Sequence, residues 1–183
     1  TATNIWIIDG YTVTANLGGS CKTIHVLNGS LISGTNVATN QNLSVAGTIL
    51  EVAAGGYIGT TGVDDNADGI SFSFNSANTT TTISGIGGRI DVSKFIIGGL
   101  NANVVIDHDI TVHFHGSANN GYGTSLYSNA TGVNVTINAG KTVTMAKWAS
   151  ICNTTAPLTN SGATSLKLNV NGTLNFLPGA PIG

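Results

Sequence analysis

Residues 64–69 read DDNADG, and Asp64, Asn66 and Asp68 followed by Gly69 match the opening of an oxygen-ligand Ca²⁺ loop. Such a loop closes on a bidentate Glu at its twelfth position, where this chain has Asn75. A Ca²⁺ held by Asp64, Asn66 and Asp68 must therefore complete its shell with water or backbone carbonyls, and a solvated Asp/Asn turn accounts for the same residues. A second cluster, DHDITVHFH at 107–115, puts His113 and His115 two residues apart, on one side of a strand. Two imidazoles so placed can share a transition metal, with Asp107 and Asp109 as upstream oxygen donors. An outward strand face needs polar side chains anyway, and His meets that need without a metal.

Catalysis has less to stand on. Glycoside cleavage needs two carboxylates at a set separation, or a divalent cation beside a base. Among the eight acidic residues, Asp9 and Asp107 fall at chain corners, and Asp64, Asp65 and Asp68 share one loop. The sole arginine, Arg89, follows a Gly-Gly bend, a poor setting for an isolated base. No Ser or Thr sits in a strand–turn–helix elbow. The chain thus reads as no enzyme, with no cofactor beyond the Ca²⁺ considered above.

Trp6, Trp148, Tyr122 and Tyr127 can stack on sugars, although ordinary packing explains each of them. Glycosylation triplets begin at Asn28, Asn42, Asn78, Asn129, Asn134, Asn153 and Asn171, little more than an Asn/Ser/Thr-rich chain produces by chance. The two cysteines, Cys21 and Cys152, allow a disulfide across a long loop or two buried free thiols.

Composition narrows the class of protein. Charged residues make up 8 % of 183, against about 25 % in ordinary globular chains, and the net charge is −2. No basic footprint for nucleic acid or anionic lipid exists. No apolar run approaches the roughly 20 residues of a membrane-spanning helix. With 41 % hydrophobic residues spread along the chain, it is not a disordered composition. Solubility must come from Thr, Ser and Asn, which together with 25 glycines favour strands and turns. Uncharged chains of this kind are typical of cell surfaces and secreted material.

One phrase recurs along the chain. WIIDGYTVT at 6–14, HVLNGSLIS at 25–33, LSVAGTILEV at 43–52, VTINAGKTVTM at 135–145 and LNVNGTLNF at 168–176 each read as strand, tight corner, strand. Corners fall at Asp9-Gly10, Asn28-Gly29, Ala46-Gly47, Gly87-Gly88, Asp107-His108, Ala139-Gly140 and Asn171-Gly172, the first three 19 and 18 residues apart and the later ones wider. Within each unit apolar side chains alternate, as in Val135 and Ile137, then Val143 and Met145, so each strand buries one side.

Cross-strand pairs have no consistent antiparallel register. A bend with Gly or Asn at positive φ, turning the chain onto the next face of a coil, fits better. Repeats near 20 residues with occasional loops mark a solenoid. The expected fold is all-β, a single-domain right-handed parallel β-helix over residues 1–183, with about seven coils. Its handedness follows only from the general rule for parallel crossovers. Protruding insertions are expected at 55–82, 116–132 and 146–165. The alternative is an antiparallel β-sandwich, whose turns recur every 8–12 residues.

The phrases IIDGYTVTA, HVLNGSLIS, INAGKTVTM and VNGTLNF resemble the β-solenoid stalks of bacterial secreted surface proteins, adhesins of the filamentous-haemagglutinin style among them. The resemblance implies an extracellular, structural or adhesive role and carries no catalytic residue with it. A β-helix also leaves apolar core and unpaired backbone at its ends unless they are capped. This chain opens on NIWII and closes on LNFLPGAPIG without an amphipathic helix at either end. Ile5, Trp6 and Ile7 at one end, and Leu174, Phe176 and Leu177 at the other, are therefore the expected contact residues between copies stacked head to tail. The expected function is a subunit or segment of a self-associating cell-surface filament. An adhesin or carbohydrate-binding module with a loop-borne glycan site, with or without Ca²⁺, is the alternative.

Overall fold

The computed structural model describes residues 4–15, 18–33, 41–46, 49–59, 70–113, 123–146, 149–152 and 166–178. The chain winds through β1 (Ile5–Ala15) and β2 (Gly19–Cys21), then β3 (Thr23–Ser33) and β4 (Gln41–Val45). The next turns are β5 (Ile49–Val52), β6 (Tyr57–Gly59) and β7 (Ile70–Phe74), then β8 (Thr80–Gly85), β9 (Arg89–Val92) and β10 (Lys94–Ile97). After these come β11 (Asn103–Asp107), β12 (Ile110–Val112) and β13 (Gly123–Ser128), then β14 (Val133–Ile137), β15 (Thr142–Met145) and β16 (Ala149–Cys152). The last described strands are β17 (Leu166–Val170) and β18 (Thr173–Phe176).

Every strand pairing among the described residues is parallel, which rules out the antiparallel sandwich for them. The first half of β3 pairs with β5 and its second half with β6, so β1 and β3 each run through a corner and belong to two faces. The first face is the stack β1–β3–β5–β8–β11–β14–β17, and the second is β1–β3–β6–β9–β12–β15–β18. The third, separate face is β2–β4–β7–β10–β13–β16. The protein is a parallel β-helix.

Along the inner row Trp6, Ile24, Leu50, Ile83, Ile106, Ile137 and Val170, successive steps are 18, 26, 33, 23, 31 and 33 residues. Corner lengths vary, but along this row the register holds, because a slip of one residue would turn its apolar side chains to water. Among the described residues, bulges interrupt the register only within β1–β3, near Asp9, and within β13–β16, near Leu126.

Two sequence expectations shift here. Ala46 ends the third face after β4, and the counterpart of Asn28-Gly29 in the following coil is the stretch 53–56 between β5 and β6. The segments expected to protrude contain wall strands as well: β6, β7 and the start of β8 lie within 55–82, β13 within 116–132, and β16 within 146–165. Their serines disguised them. Ser71, Ser73, Ser125 and Ser128 are buried, as is Ser93 on the neighbouring coil, and hydroxyls meet hydroxyls or the backbone of the next coil. Ser71 Oγ lies 3.2 Å from Ser93 Oγ, and Ser93 Oγ donates to Ile70 O at 3.1 Å. Ser128 Oγ lies 3.2 Å from Ile97 O. A satisfied hydroxyl is cheap to bury.

The core runs down the middle of the coil. Leu43, Phe72, Phe95 and Leu126 align on the third face, with ring centroids 6.3 Å apart for Phe72–Phe95 and 5.9 Å for Phe74–Phe95. Cys21 is a free, buried thiol in β2, which ends this face; β16, with Cys152, ends it on the other side. Five strand steps of about 4.8 Å separate these two strands, so Cys21 does not bond to Cys152 within the chain. The side chain of Cys152 lies outside the described residues.

At the corner from third to first face, a column of left-handed residues stacks: Asn78 at φ 52°, Asn101 at φ 52° and Gly132 at φ 70°. Asn101 Nδ2 donates to Asn78 Oδ1 at 3.2 Å, and Asn101 N donates to Thr131 O at 2.9 Å. Asn and Gly are the residues that accept this backbone at least cost, which explains their recurrence there.

A candidate binding groove on the second face

On the second face the outward side chains of β9, β12 and β15 form a polar floor. In β9, Ile90 and Val92 point into the core, so Arg89 and Asp91 point out. Asp91 stands beside Thr111, and Thr111 beside Thr144, on successive strands about 4.8 Å apart. Arg89 and Asp91 meet at 2.5 Å between guanidinium and carboxylate, with Asp91 4 % exposed and Arg89 72 %.

Tyr57 fixes the third corner of this cluster. It aligns with Arg89 across the β6–β9 pair, and the Arg89 guanidinium lies 5.5 Å from its ring centroid. The Tyr57 hydroxyl donates to Asp91. To reach it the ring lies flat along β6 over Gly59, where a Cβ would sit 1.8 Å from the Tyr57 hydroxyl. Burial pushes the Tyr57 pKa up from 10; the Asp91 charge and hydrogen bond act in the same direction, and Arg89 acts against them.

Arg89 and Asp91 border a cavity of about 310 Å³, lined also by Asp109, Thr111, Thr142 and Thr144, with Gly88, Ile90 and Ile110. Asp109 Oδ1 accepts from the backbone N–H of Thr142 at 2.7 Å, which fixes one oxygen and leaves the other to the cavity. The groove therefore presents preset donors on Arg89, an acceptor on Asp109, and hydroxyls that do both. Arg-x-Asp on one side of a strand was visible in the sequence. Tyr57 and the threonines come from other coils, and only the register brings them in.

A second constellation lies on the first face. Thr23 Oγ1 is 3.0 Å from His25 Nε2, and His25 Nδ1 is 2.7 Å from Glu51 Oε2. The order hydroxyl–imidazole–carboxylate is that of a nucleophilic triad. Acyl transfer also needs donors aimed at a developing oxyanion. Here the strand N–H groups lie in the sheet plane, directed at neighbouring strands. The arrangement acts as a polar ladder binding β3 to β5.

The residues expected to carry function are scattered. Asp64, Asn66 and Asp68 lie outside the described residues, as does His115. His113 follows β12, and its backbone N–H donates to Val92 O at 2.7 Å. Asp107 and Asp109, its suggested oxygen partners, serve neighbouring coils, since Asp107 Oδ1 accepts from Asn138 Nδ2 at 3.1 Å. Among the described residues no cluster of three or more His, Cys, Asp or Glu is placed to hold a metal. Ile5 and Ile7 are exposed on the outer side of the first face beside Thr23 and His25, whereas Trp6 points inward in the row of Ile24. Among the described residues, Leu174 and Phe176 are the last of the inner rows of Val143 and Met145, and Leu177 is exposed.

Comparison of the chain with protein-family models, curated proteins and solved structures found no match. The class of the protein is accordingly given by its fold alone, a parallel β-solenoid.

Proposed function

We propose that the chain is an extracellular structural protein, a subunit or segment of a cell-surface filament in which β-helices stack head to tail. The observation that carries this reading is the contrast between the middle coils and the last described coil. Leu50, Ile83, Ile106 and Ile137 share one inner row and are at most 1 % exposed, whereas Val170 in the same row is 46 % exposed. Leu166, Leu168, Leu174 and Phe176 around it are only half-buried. At the other end Val13 is 42 % exposed beside a fully buried Leu31.

Among the described residues, the outer edges of β1, β17 and β18 have no strand partner. A further coil seated there would extend both the hydrogen-bond ladders and the apolar rows. The 8 % charged fraction means weak repulsion between neighbours. Exposed Ile5 and Ile7 suit side-to-side contacts.

Negative-stain electron microscopy with sedimentation velocity over a concentration series tests the proposal. Fibres or a growing ladder of oligomers are expected. The double variant Leu168→Lys/Leu174→Lys should disperse them while its circular dichroism stays β-rich. A parent protein that remains monomeric at every concentration overturns the reading.

A further inference from the structure

We infer that the groove bordered by Arg89, Asp91, Asp109 and Thr144 is a binding site for a neutral, hydroxyl-rich ligand, a saccharide unit. This inference is independent of the assembly reading, because the groove lies on the side of the coil, away from its ends.

Charge decides the class of ligand first. Arg89 is matched by Asp91, and Asp109 adds a second carboxylate, so the lining carries one net negative charge. A phosphate, sulfate or uronate would face that surplus. A metal cation would face the Arg89 guanidinium, which stays charged at any working pH. Neither ion has a cleared site, and an uncharged ligand meets neither objection.

Chemistry then narrows it. Asp91 is almost fully buried and holds both the Arg89 guanidinium and the Tyr57 hydroxyl, so the exposed arginine is anchored and its remaining N–H groups are preset. Thr111, Thr142 and Thr144 make no side-chain hydrogen bond among the described residues. Thr111 and Thr144 sit on adjacent strands at about 4.8 Å, and Thr142 and Thr144 lie two residues, roughly 6.7 Å, apart along one strand. Hydroxyls on that grid, with a fixed donor at one end and the Asp109 oxygen beside them, suit a ligand bearing several hydroxyls on a rigid ring. A volume of about 310 Å³ lies at the lower end of the roughly 300–1,000 Å³ usual for ligand sites. That suits a short stretch of a sugar chain lying across the strands.

The test is an array of immobilised neutral, amino, sialylated and sulfated oligosaccharides, with each hit followed free in solution by saturation-transfer NMR. Binding confined to neutral glycans is expected. In Thr111→Val/Thr144→Val, which keeps side-chain shape and strand propensity, affinity should fall at least tenfold. The control Thr82→Val/Thr136→Val on the first face should bind like the parent. Fibre formation in the groove variant should be unchanged, so failure here and failure of the assembly reading are told apart. The inference is overturned by any one of four results: no neutral glycan bound, preference for acidic glycans, equal binding by groove variant and parent, or binding abolished by a chelator.

Discussion

The Arg89 guanidinium and the Asp91 carboxylate, two residues apart on the outer side of β9, meet at 2.5 Å with one end wet and the other dry. The asymmetry decides what each loss costs. In Asp91→Ala the arginine retreats into water, the surface part of the pair being worth at most about 1 kcal/mol. The Tyr57 hydroxyl gives up one neutral donor's bond without any charge being left buried. In Arg89→Ala a buried carboxylate loses its main partner, which costs about 1–3 kcal/mol. Urea unfolding should therefore rank Arg89→Ala as the less stable variant. The reverse order would mean that Asp91 is better hydrated than its burial implies.

Tyr57 offers a spectroscopic check on the same cluster. Its pKa is raised, chiefly by burial and next by the Asp91 charge, so the folded protein holds this proton more tightly than the unfolded chain does. The resulting stability is fully present below pH 10 and is lost as pH rises through the folded value. The difference in phenolate absorbance between parent and Tyr57→Phe should show a step above pH 10. In Gly59→Ala the new Cβ would displace the ring from Asp91, and the step should move down toward the ordinary tyrosine value. A step at the same pH in both proteins would mean that Tyr57 reaches Asp91 without lying over Gly59.

How far this structure is legible in the sequence depends on the face. VNVTI at 133–137 alternates strictly, with Val133, Val135 and Ile137 inward, and it became β14 with that pattern. ISFSF at 70–74 alternates just as strictly, but β7 is buried on both sides, and its serines look like loop residues until their partners on other coils are known. The same limit applies to the groove. Tyr57, Arg89, Asp109 and Thr142 are dispersed in sequence, and coil lengths are too irregular for any fixed period to align them. Local alternation is written in one strand, whereas a site on a solenoid wall is written in the register between strands.

The stacked left-handed corner makes a sharper claim about backbone. Asn101→Gly keeps φ 52° accessible and should change stability little, losing only the side-chain contact to Asn78. Asn101→Ala keeps a Cβ without the compensating amide and should cost about 1–2 kcal/mol. Gly132→Ala meets the same φ restriction, and its Cβ would lie 2.1 Å from Asn101 Oδ1, so it should be the worst of the three. Thermal melts of all three variants decide the order, and an unperturbed Gly132→Ala would remove the column from the account.

Cys21 reports on how tightly the first coil closes. Burial pushes its thiol from about 9 up to about 11, so thiolate is scarce at neutral pH. In a Cys152→Ser background, native protein should react with a thiol reagent far more slowly than protein unfolded in guanidinium. The protonated thiol favours the fold below pH 9, and that contribution fades as pH rises through about 11. Rapid native labelling at neutral pH would show that the coil opens at β2.

The ends of the coil provide a prediction in which stability and assembly must agree. Leu50 is fully buried in mid-helix, and Leu50→Ala should cost about 2–5 kcal/mol at any protein concentration. Leu168 is the last described residue of the inner row that contains Val135 and is half-buried, so Leu168→Ala should cost clearly less in dilute solution than Leu50→Ala. Stacking would bury Leu168 against the next coil, and burial in an interface stabilises the folded state by mass action. The penalty for Leu168→Ala should then grow as parent and variant are compared at rising concentration, while that for Leu50→Ala stays level. Parallel melting curves at several concentrations separate the cases. A Leu168→Ala penalty independent of concentration, in a range where the parent forms fibres, would mean that the fibres are built through some other surface, with the outward Ile5 and Ile7 the first to examine.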